Sequence, residues 1–407
     1  MNSALIIFLL TYAGVAIGGI PGLAIDRTGI ALLGAIAMVA FGGVGEQQAL
    51  ISIDLPTILL LFSLMVISSQ LALGGFYTKV AELLAQSLQR PRRFLFQMMI
   101  VVAGLSAVLT NDVVCLALAP LLAVAVRRAK LNPVPYLLGL AAAANIGSAA
   151  TIIGNPQNIL IGQSGHLNFG KFLAWCSVPS IVSLAAAFAL LLGFYRGKLQ
   201  LADGAPPTPV AEPGPTYNAH QSRKGIFATV VVMALFFTPI PREVTALCAA
   251  GWLLCSRRMT TRSLLGEVDW HLITLFCGLF IVIKGFETTG APARLVQALA
   301  AHGFALNNPL SLTGVSVALS NIVSNVPATM LLTKFLDPAH SLPWYVLALT
   351  STFAGNLITI GSIANLIVIE QAKVQGVHIG FREHARTGIP ITLASLGATV
   401  VWLWIAG

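Results

Sequence analysis

The sequence predicts an all-α polytopic membrane protein built from two inverted repeats, with ten spanning helices, two of them broken, and two re-entrant hairpins. Three observations predict this fold: the composition, the polar interruptions of four apolar regions, and the uneven distribution of basic residues. Of the 407 residues, 57% are hydrophobic and only 9% are charged. Such a chain is too apolar for an ordinary soluble domain, and most of it is suited to lipid.

Eight uninterrupted apolar segments are the first candidates for membrane spans. Each is roughly 15 to 25 residues long, which matches the hydrocarbon core when some helices are short or tilted. The segments cover residues 3–20, 28–43, 55–75, 170–195, 226–240, 243–256, 270–286 and 387–405.

Four further apolar regions carry polar residues, glycine or proline near their middles. They are residues 94–127, 135–162, 308–336 and 343–371. We interpret the first and third as re-entrant hairpins that turn at Thr110–Asp112 and Ser324–Pro327, and the other two as broken helices. Backbone groups freed at such turns cannot face lipid, so the turns must be buried in protein or line a wet cavity.

The basic residues predict the orientation in the membrane. With ten crossings, 18 of the 23 basic residues fall on one side, and only Lys171, Arg242, Arg294 and Lys334 fall on the other, with Lys284 inside a span. The basic side should be cytoplasmic, which places both termini in the periplasm of a bacterium and the protein in its inner membrane. The net charge of +9 therefore follows from topology. No nucleic-acid partner is expected, because the basic residues are spread over separate loops.

A proline-rich segment at residues 203–224 divides the chain. Its lack of large aliphatic residues is typical of a linker, here cytoplasmic, between a first repeat (1–202) and a second repeat (225–407). Each half contains three crossings, a hairpin and two more crossings, the first of which is broken. Because five is an odd number of crossings, the second half is inserted upside down.

The same polar motifs occur in the same order in both halves. A hydroxyl-Asn pair at the hairpin tip is followed by an Asn, by a Gly/Ser/Thr break, and by an Asn with two aliphatic residues. An asparagine in the membrane needs hydrogen-bonding partners, and its amide offers two donors and an acceptor. The candidate substrate-binding residues are Thr110, Asn111, Asn145, Ser148, Gly154, Asn155, Asn158, Ser324, Asn325, Asn356, Thr359, Ser362 and Asn365. The alternative is that they only join helices or cap their broken ends.

Asp112 is the only carboxylate within the central motifs of the four interrupted regions. Desolvation favours its neutral form, so it is the candidate residue for proton or ion coupling. The alternative is a carboxylate that caps the second helix of the hairpin.

At these residues the sequence resembles the ion transporter superfamily, in particular the branch of arsenite permeases and sodium/proton antiporters. The resemblance lies in TNDVVCLALAPLL, GNPQNILIG, SNIVSNVPATMLL and GSIANLIVIE. It implies a moving transport region, residues 94–162 and 308–371, against a scaffold formed by the rest. It also allows a homodimer and, for an arsenite permease, a soluble ATPase partner.

Three functions fit the resemblance and the residues. The leading one is export of arsenite or antimonite, neutral trihydroxy species at pH 7, in exchange for protons. The runner-up is sodium/proton antiport with Asp112 and amide or carbonyl oxygens as ligands. The third is transport of a small, dicarboxylate-like anion. The tips depart from the Ser-Asn-Thr of dicarboxylate-transporting relatives, and no Arg or Lys adjoins the motifs to compensate a dianion.

A membrane enzyme is the alternative from another class. No metal-ligand cluster and no nucleophile and base pair occur within the predicted spans, so we expect neither catalysis nor a bound metal or cofactor.

Overall fold

The computed structural model describes residues 2–19, 22–199 and 214–406, and this part of the chain is built from helices. The α-helices are α1 Ser3–Ile17, α2 Arg27–Phe41, α3 Glu46–Ser52, α4 Leu55–Leu73, α5 Phe76–Ala85, α6 Pro91–Val108, α7 Asn111–Arg128, α8 Pro133–Ser148, α9 Pro156–Ser164, α10 Phe169–Phe194, α11 Ala219–Leu235, α12 Arg242–Leu254, α13 Thr261–Gly266, α14 Trp270–Thr288, α15 Ala291–Ala301, α16 Pro309–Val323, α17 Asn325–Leu332, α18 Ser341–Ala354, α19 Ile363–Val374 and α20 Phe381–Ala406. Two short 3-10 helices occupy Thr333–Phe335 and Thr359–Gly361.

Five of these helices, α4, α6, α10, α14 and α20, are long and apolar enough to cross a membrane. The all-helical, multi-pass architecture expected from composition is therefore confirmed. Polar side chains at the caps define several helix starts: Asp54 accepts a hydrogen bond from the backbone of Thr57, and Asp269 accepts one from Leu272. Such caps satisfy N–H groups that have no partner within the helix.

The predicted linker is shorter than expected at its C-terminal end. Residues 200–213 lie outside the described part of the chain. Helix α11 begins at Ala219, capped by the Asn218 side chain, so residues 219–224 belong to this helix and not to the linker. The helix begins here because Asn218 is a good N-cap and the residues after it are compatible with a helix. The polar and charged residues up to Arg223 and Lys224 led to the assignment of this segment to the linker.

Each interrupted apolar region consists of two helices, as predicted. Helices α6 and α7 meet at Leu109 and Thr110, and α16 and α17 meet at Ser324, whose φ of +74° turns the chain sharply. Helices α8 and α9 are separated by residues 149–155, and α18 and α19 by residues 355–362. We call these two segments the first and the second break.

The helices of the four interrupted regions pack on one another across the two halves. Helix α19 lies against α7 and α8, while α17 and α18 lie against α9. Small residues permit the close approach: Gly147 of α8 lies directly on the backbone of Ala103 in α6, where a Cβ atom would collide. This packing brings both breaks and both hairpin tips into one buried region.

Candidate substrate site

Asn145, in the last turn of α8, is the centre of a buried hydrogen-bond cluster. Its Nδ2 donates to Asn356 Oδ1 at 2.9 Å and to Asn365 Oδ1 at 3.1 Å. Its Oδ1 accepts from Asn111 Nδ2 at 3.2 Å and from Ser362 Oγ at 3.0 Å. We call these five residues the amide cluster. They come from one hairpin tip, one helix end and the second break, so the structure brings together residues that are distant in the sequence.

Two asparagines bind the unwound backbone at the breaks. Asn158 Nδ2 donates to the carbonyls of Ser148 and Thr151, which lie 10 and 7 residues before it. Asn365 Nδ2 donates to the carbonyls of Gly355 and of Ile358, again 10 and 7 residues before it. These side chains replace helical partners that the breaks remove.

The two breaks are also joined by equivalent contacts. Asn155, the N-cap of α9, donates to Thr352 Oγ1 at 3.2 Å, and Ser362, the N-cap of α19, donates to Asn145 Oδ1. Thr352 in the second half therefore takes the place of Asn145 in the first. The order of the polar motifs pairs the Asn that follows each tip, which is Asn145 in the first half and Asn356 in the second. Asn356 lies one helical turn after Thr352, because motif order follows residue identity and not distance from the N-cap. Counting back from Asn155 and Ser362 would have identified Thr352.

The remaining predicted residues occupy varied positions. Gly154 contributes its backbone, since its carbonyl accepts from the Asn111 N–H at 2.9 Å. Ser148 Oγ accepts from Asn155 Nδ2 at 2.9 Å. Thr359 is half-buried, and no hydrogen bond among the described residues joins it to the amide cluster.

The second hairpin tip lies against the second break. Asn325 is buried, and a Cβ atom on Gly355 would be 2.9 Å from Asn325 Nδ2. Ser324, beside it, is also buried. Both tips therefore border the same region, and a Cβ atom at position 355 would require Asn325 or Ser362 to shift.

Several buried oxygens at the tips, or in the last turn of the helix before them, have no hydrogen-bond partner within the described part of the protein. Three belong to amides, Asn111 Oδ1, Asn321 Oδ1 and Asn325 Oδ1, which we call the tip oxygens. The hydroxyls of Ser106, Thr110 and Ser320 are also unpaired. Leaving a buried acceptor unpaired is unfavourable by about 1 to 3 kcal/mol. The tip oxygens are thus suited to a solute that donates hydrogen bonds or to a cation.

Four helices begin at this region: α7, α9, α17 and α19. Their N-terminal N–H groups and dipoles favour electron-rich atoms. Among the described residues, the fully buried side chains include no Lys or Arg. The site therefore combines amide and hydroxyl groups with helix ends and lacks a buried cationic side chain.

Asp112 lies on a different face of α7 from the amide cluster. It is partly exposed, whereas Asn111, Val114 and Cys115 are buried against neighbouring helices. In the described part of the chain its carboxylate makes no hydrogen bond or ion pair, so no capping bond supports the alternative interpretation. A cavity of about 550 Å³ between α4, α5 and α7 extends from the adjacent Val113 to Arg128.

We expect alanine at Asn365 to destabilise the protein by roughly 2 to 5 kcal/mol, because two buried carbonyls and Asn145 lose their partners. Asn158→Ala should behave similarly. The measurement is denaturant unfolding in detergent. The control is Asn168→Ala, an exposed N-cap of α10, which should cost only about 1 kcal/mol. Equal losses at all three positions would contradict a special role for the breaks.

The fold and the site define a polytopic membrane transporter. The sequence matches the CitMHS family, described as citrate transporter, over residues 5–354. The chain belongs to this family of the ion transporter superfamily, which confirms the resemblance noted in the sequence. Family membership also makes it a transporter and not an enzyme.

Relatives match over most of the chain. The silicon efflux transporter LSI3 of Oryza sativa subsp. japonica is 30% identical, with 92% of this chain and 91% of the relative covered. The inner membrane protein YbiR of Escherichia coli (strain K12) is 31% identical, with 79% and 81% covered. The putative transporter arsB of Dictyostelium discoideum is 25% identical, with 91% and 86% covered.

A solved structure is similar over the whole chain. The YdaH transporter of Alcanivorax borkumensis has a TM-score of 0.55 and 14% identity, covering 100% of this chain and 98% of that one. At this identity the likeness concerns the fold.

Proposed function

We propose that the protein is a secondary transporter of the bacterial inner membrane that exports arsenite or antimonite in exchange for protons. The observation that carries the proposal is the set of unpaired tip oxygens at Asn111, Asn321 and Asn325. Arsenite and antimonite are neutral at pH 7 and bring O–H donors to these acceptors. A fully deprotonated carboxylate would bring only further acceptors.

The names of relatives support a hydroxylated inorganic solute. One is called a silicon efflux transporter and another a putative arsB transporter. Silicic acid is also neutral and hydroxylated, so it belongs with arsenite and antimonite among the solutes to be tested.

The transport cycle follows from a division into inverted repeats, residues 1–202 and 225–407. The equivalent bonds of Asn158 and Asn365 support a two-fold axis between the breaks. We assign residues 94–162 and 308–371 to a moving region with two re-entrant hairpins, and the other helices to a scaffold that completes ten crossings. Alternating access then exposes one central site to each side in turn.

Two other functions retain specific support. Four converging helix N-termini and the family description favour a citrate-like anion. The oxygen-rich tips favour sodium, a hard cation, in exchange for protons.

Everted membrane vesicles under an imposed proton gradient, acidic inside, distinguish the three functions. We expect arsenite and antimonite to accumulate and a protonophore to prevent it. Vesicles without the protein provide the background. Accumulation of citrate or succinate alone would replace the proposal with the anion function, and sodium-dependent collapse of the gradient would replace it with antiport.

The proposed topology predicts the sidedness of cysteine labelling. In a variant without the native cysteines, Thr216→Cys at the exposed end of the linker should react only with a reagent that reaches the cytoplasm. Arg294→Cys should react only from the periplasm. Reversed labelling of the two positions would invert the topology.

A further inference from the structure

Helix α9 is held at both ends by side chains. Its N-terminal end carries Asn155 and Asn158, which bind the breaks. Its other end, at Ser164, lies roughly 13 Å away at 1.5 Å per residue. There the guanidinium of Arg242, the first residue of α12, donates to Gly162 O at 2.9 Å and to Leu167 O at 3.0 Å.

A second pair of contacts joins the same two helices. Arg242 also donates to Gln163 Oε1 at 3.2 Å, and Gln163 Nε2 donates to Glu243 Oε2 at 3.0 Å. We call Gln163, Arg242 and Glu243 the outer latch, because the sequence places Arg242 on the periplasmic side.

The positive charge of Arg242 stabilises the C-terminus of α9 and not α12, the helix to which Arg242 belongs. A cation is unfavourable at the N-terminus of α12 but favourable at the C-terminus of α9, where carbonyls carry partial negative charge. Glu243, in contrast, suits the N-terminus of α12. The latch thus joins a half-helix of the moving region to α12, which packs on α4 and α11 in the scaffold.

Other bonds connect the scaffold to the second hairpin. Lys334 Nζ, which the sequence places on the periplasmic side, lies 3.1 Å from Glu287 of α14. Nearer the hairpin tip, the Tyr12 hydroxyl donates to Pro327 O at 3.2 Å. Toward the basic end of α7, in contrast, α7 packs on α5, and a cavity lies between α4, α5 and α7. The two sides therefore differ: hydrogen bonds and an ion pair join the two regions on the periplasmic side, whereas a cavity lies beside their contact on the other.

We propose that Arg242 is a positioning residue that fixes α9 to the scaffold in the state closed toward the periplasm, and that the outer latch opens in every transport cycle. This inference rests on the proposed transport function, in which α9 moves relative to α12. It assigns Arg242 a role apart from solute binding, since it lies at the far end of α9 from the amide cluster.

Gln163→Cys combined with Glu243→Cys, in a variant without native cysteines, tests whether the latch opens. We expect oxidation to form a disulfide and to stop transport, and a reducing agent to restore it. Absence of the disulfide, or full transport by the cross-linked protein, would overturn the proposal.

Arg242→Gln tests, without any substrate, whether Arg242 stabilises the state closed toward the periplasm. Ala117→Cys lines the cavity and reports its access to an impermeant thiol reagent from the cytoplasm. Loss of the charged hydrogen bonds of Arg242 should destabilise the state closed toward the periplasm and reduce its population relative to the opposite state roughly tenfold. Labelling of the cavity from the cytoplasm should then become slower by a similar factor. Arg242→Lys should restore part of it, and Arg294→Gln on the same side should change nothing. Unchanged labelling in Arg242→Gln would refute the latch, whereas failure of every tested solute in the wild type would refute only the proposed function.

Discussion

Replacing Asn325 by alanine is expected to reduce transport roughly tenfold or more while leaving the protein as stable as the wild type. The amide oxygen of Asn325 is buried and unpaired. Its removal therefore breaks no hydrogen bond to that oxygen within the described part of the protein, and stability is maintained. A solute that donates to this oxygen, however, loses a buried hydrogen bond, and each 1.4 kcal/mol corresponds to tenfold in affinity.

Asn111→Ala is the matching change at the first tip. It should reduce transport to a similar extent, with a modest loss of stability because Asn111 also donates to Asn145. The double variant should be reduced roughly 100-fold if the two effects are independent. Initial rates in vesicles and melting temperatures in detergent measure both quantities.

Asn365→Ala is the control for this pair of variants. Its amide already binds two carbonyls, so it should lose stability first and transport as a consequence. Normal transport by purified Asn111→Ala and Asn325→Ala would refute a shared site at the two tips.

Replacing Asp112 by asparagine is expected to abolish accumulation of the solute against its gradient. Asparagine keeps the shape and hydrogen-bonding capacity of the protonated acid but cannot release a proton. If Asp112 carries the exchanged proton, gradient-driven transport in proteoliposomes should fall to background, whereas passive exchange of a neutral solute should persist. In a sodium antiporter the same variant should lose sodium-dependent proton movement.

Asp54→Asn provides the matched control, because Asp54 caps α4 through a hydrogen bond from the Thr57 N–H. Asparagine is an equally good N-cap, so this variant should remain coupled. If Asp112 were only a cap, its variant would behave in the same way. Undiminished uphill transport by Asp112→Asn would remove this residue from the coupling mechanism.

Local patterns in the sequence located the long apolar helices and the interrupted regions, but not the short helices α3, α5, α13 and α15. Apolar length predicted α4, α10, α14 and α20, and polar residues in four apolar regions predicted two-helix elements with buried turns. These inferences succeed because lipid and the unwound backbone impose strong local requirements. Residues 219–224, the start of α11, were assigned to the linker because they are mostly polar or charged and follow a proline-rich segment.

The roles of individual side chains required the tertiary structure. By sequence, Asn111, Asn325 and Asn365 are equivalent polar residues in apolar surroundings. In the structure the oxygens of the first two are unpaired, while the Nδ2 group of Asn365 binds the backbone.

The sequence by itself determined the multi-pass helical class, the four interrupted regions and the residue types at their centres. Only the tertiary structure decided that Asn145 meets Asn356 and Asn365, 211 and 220 residues away, that Thr352 takes the equivalent place in the second half, and that Arg242 binds the far end of α9. The physical reason is that a hydrogen bond depends on distances of about 3 Å, which the packing of remote segments sets and no local pattern records.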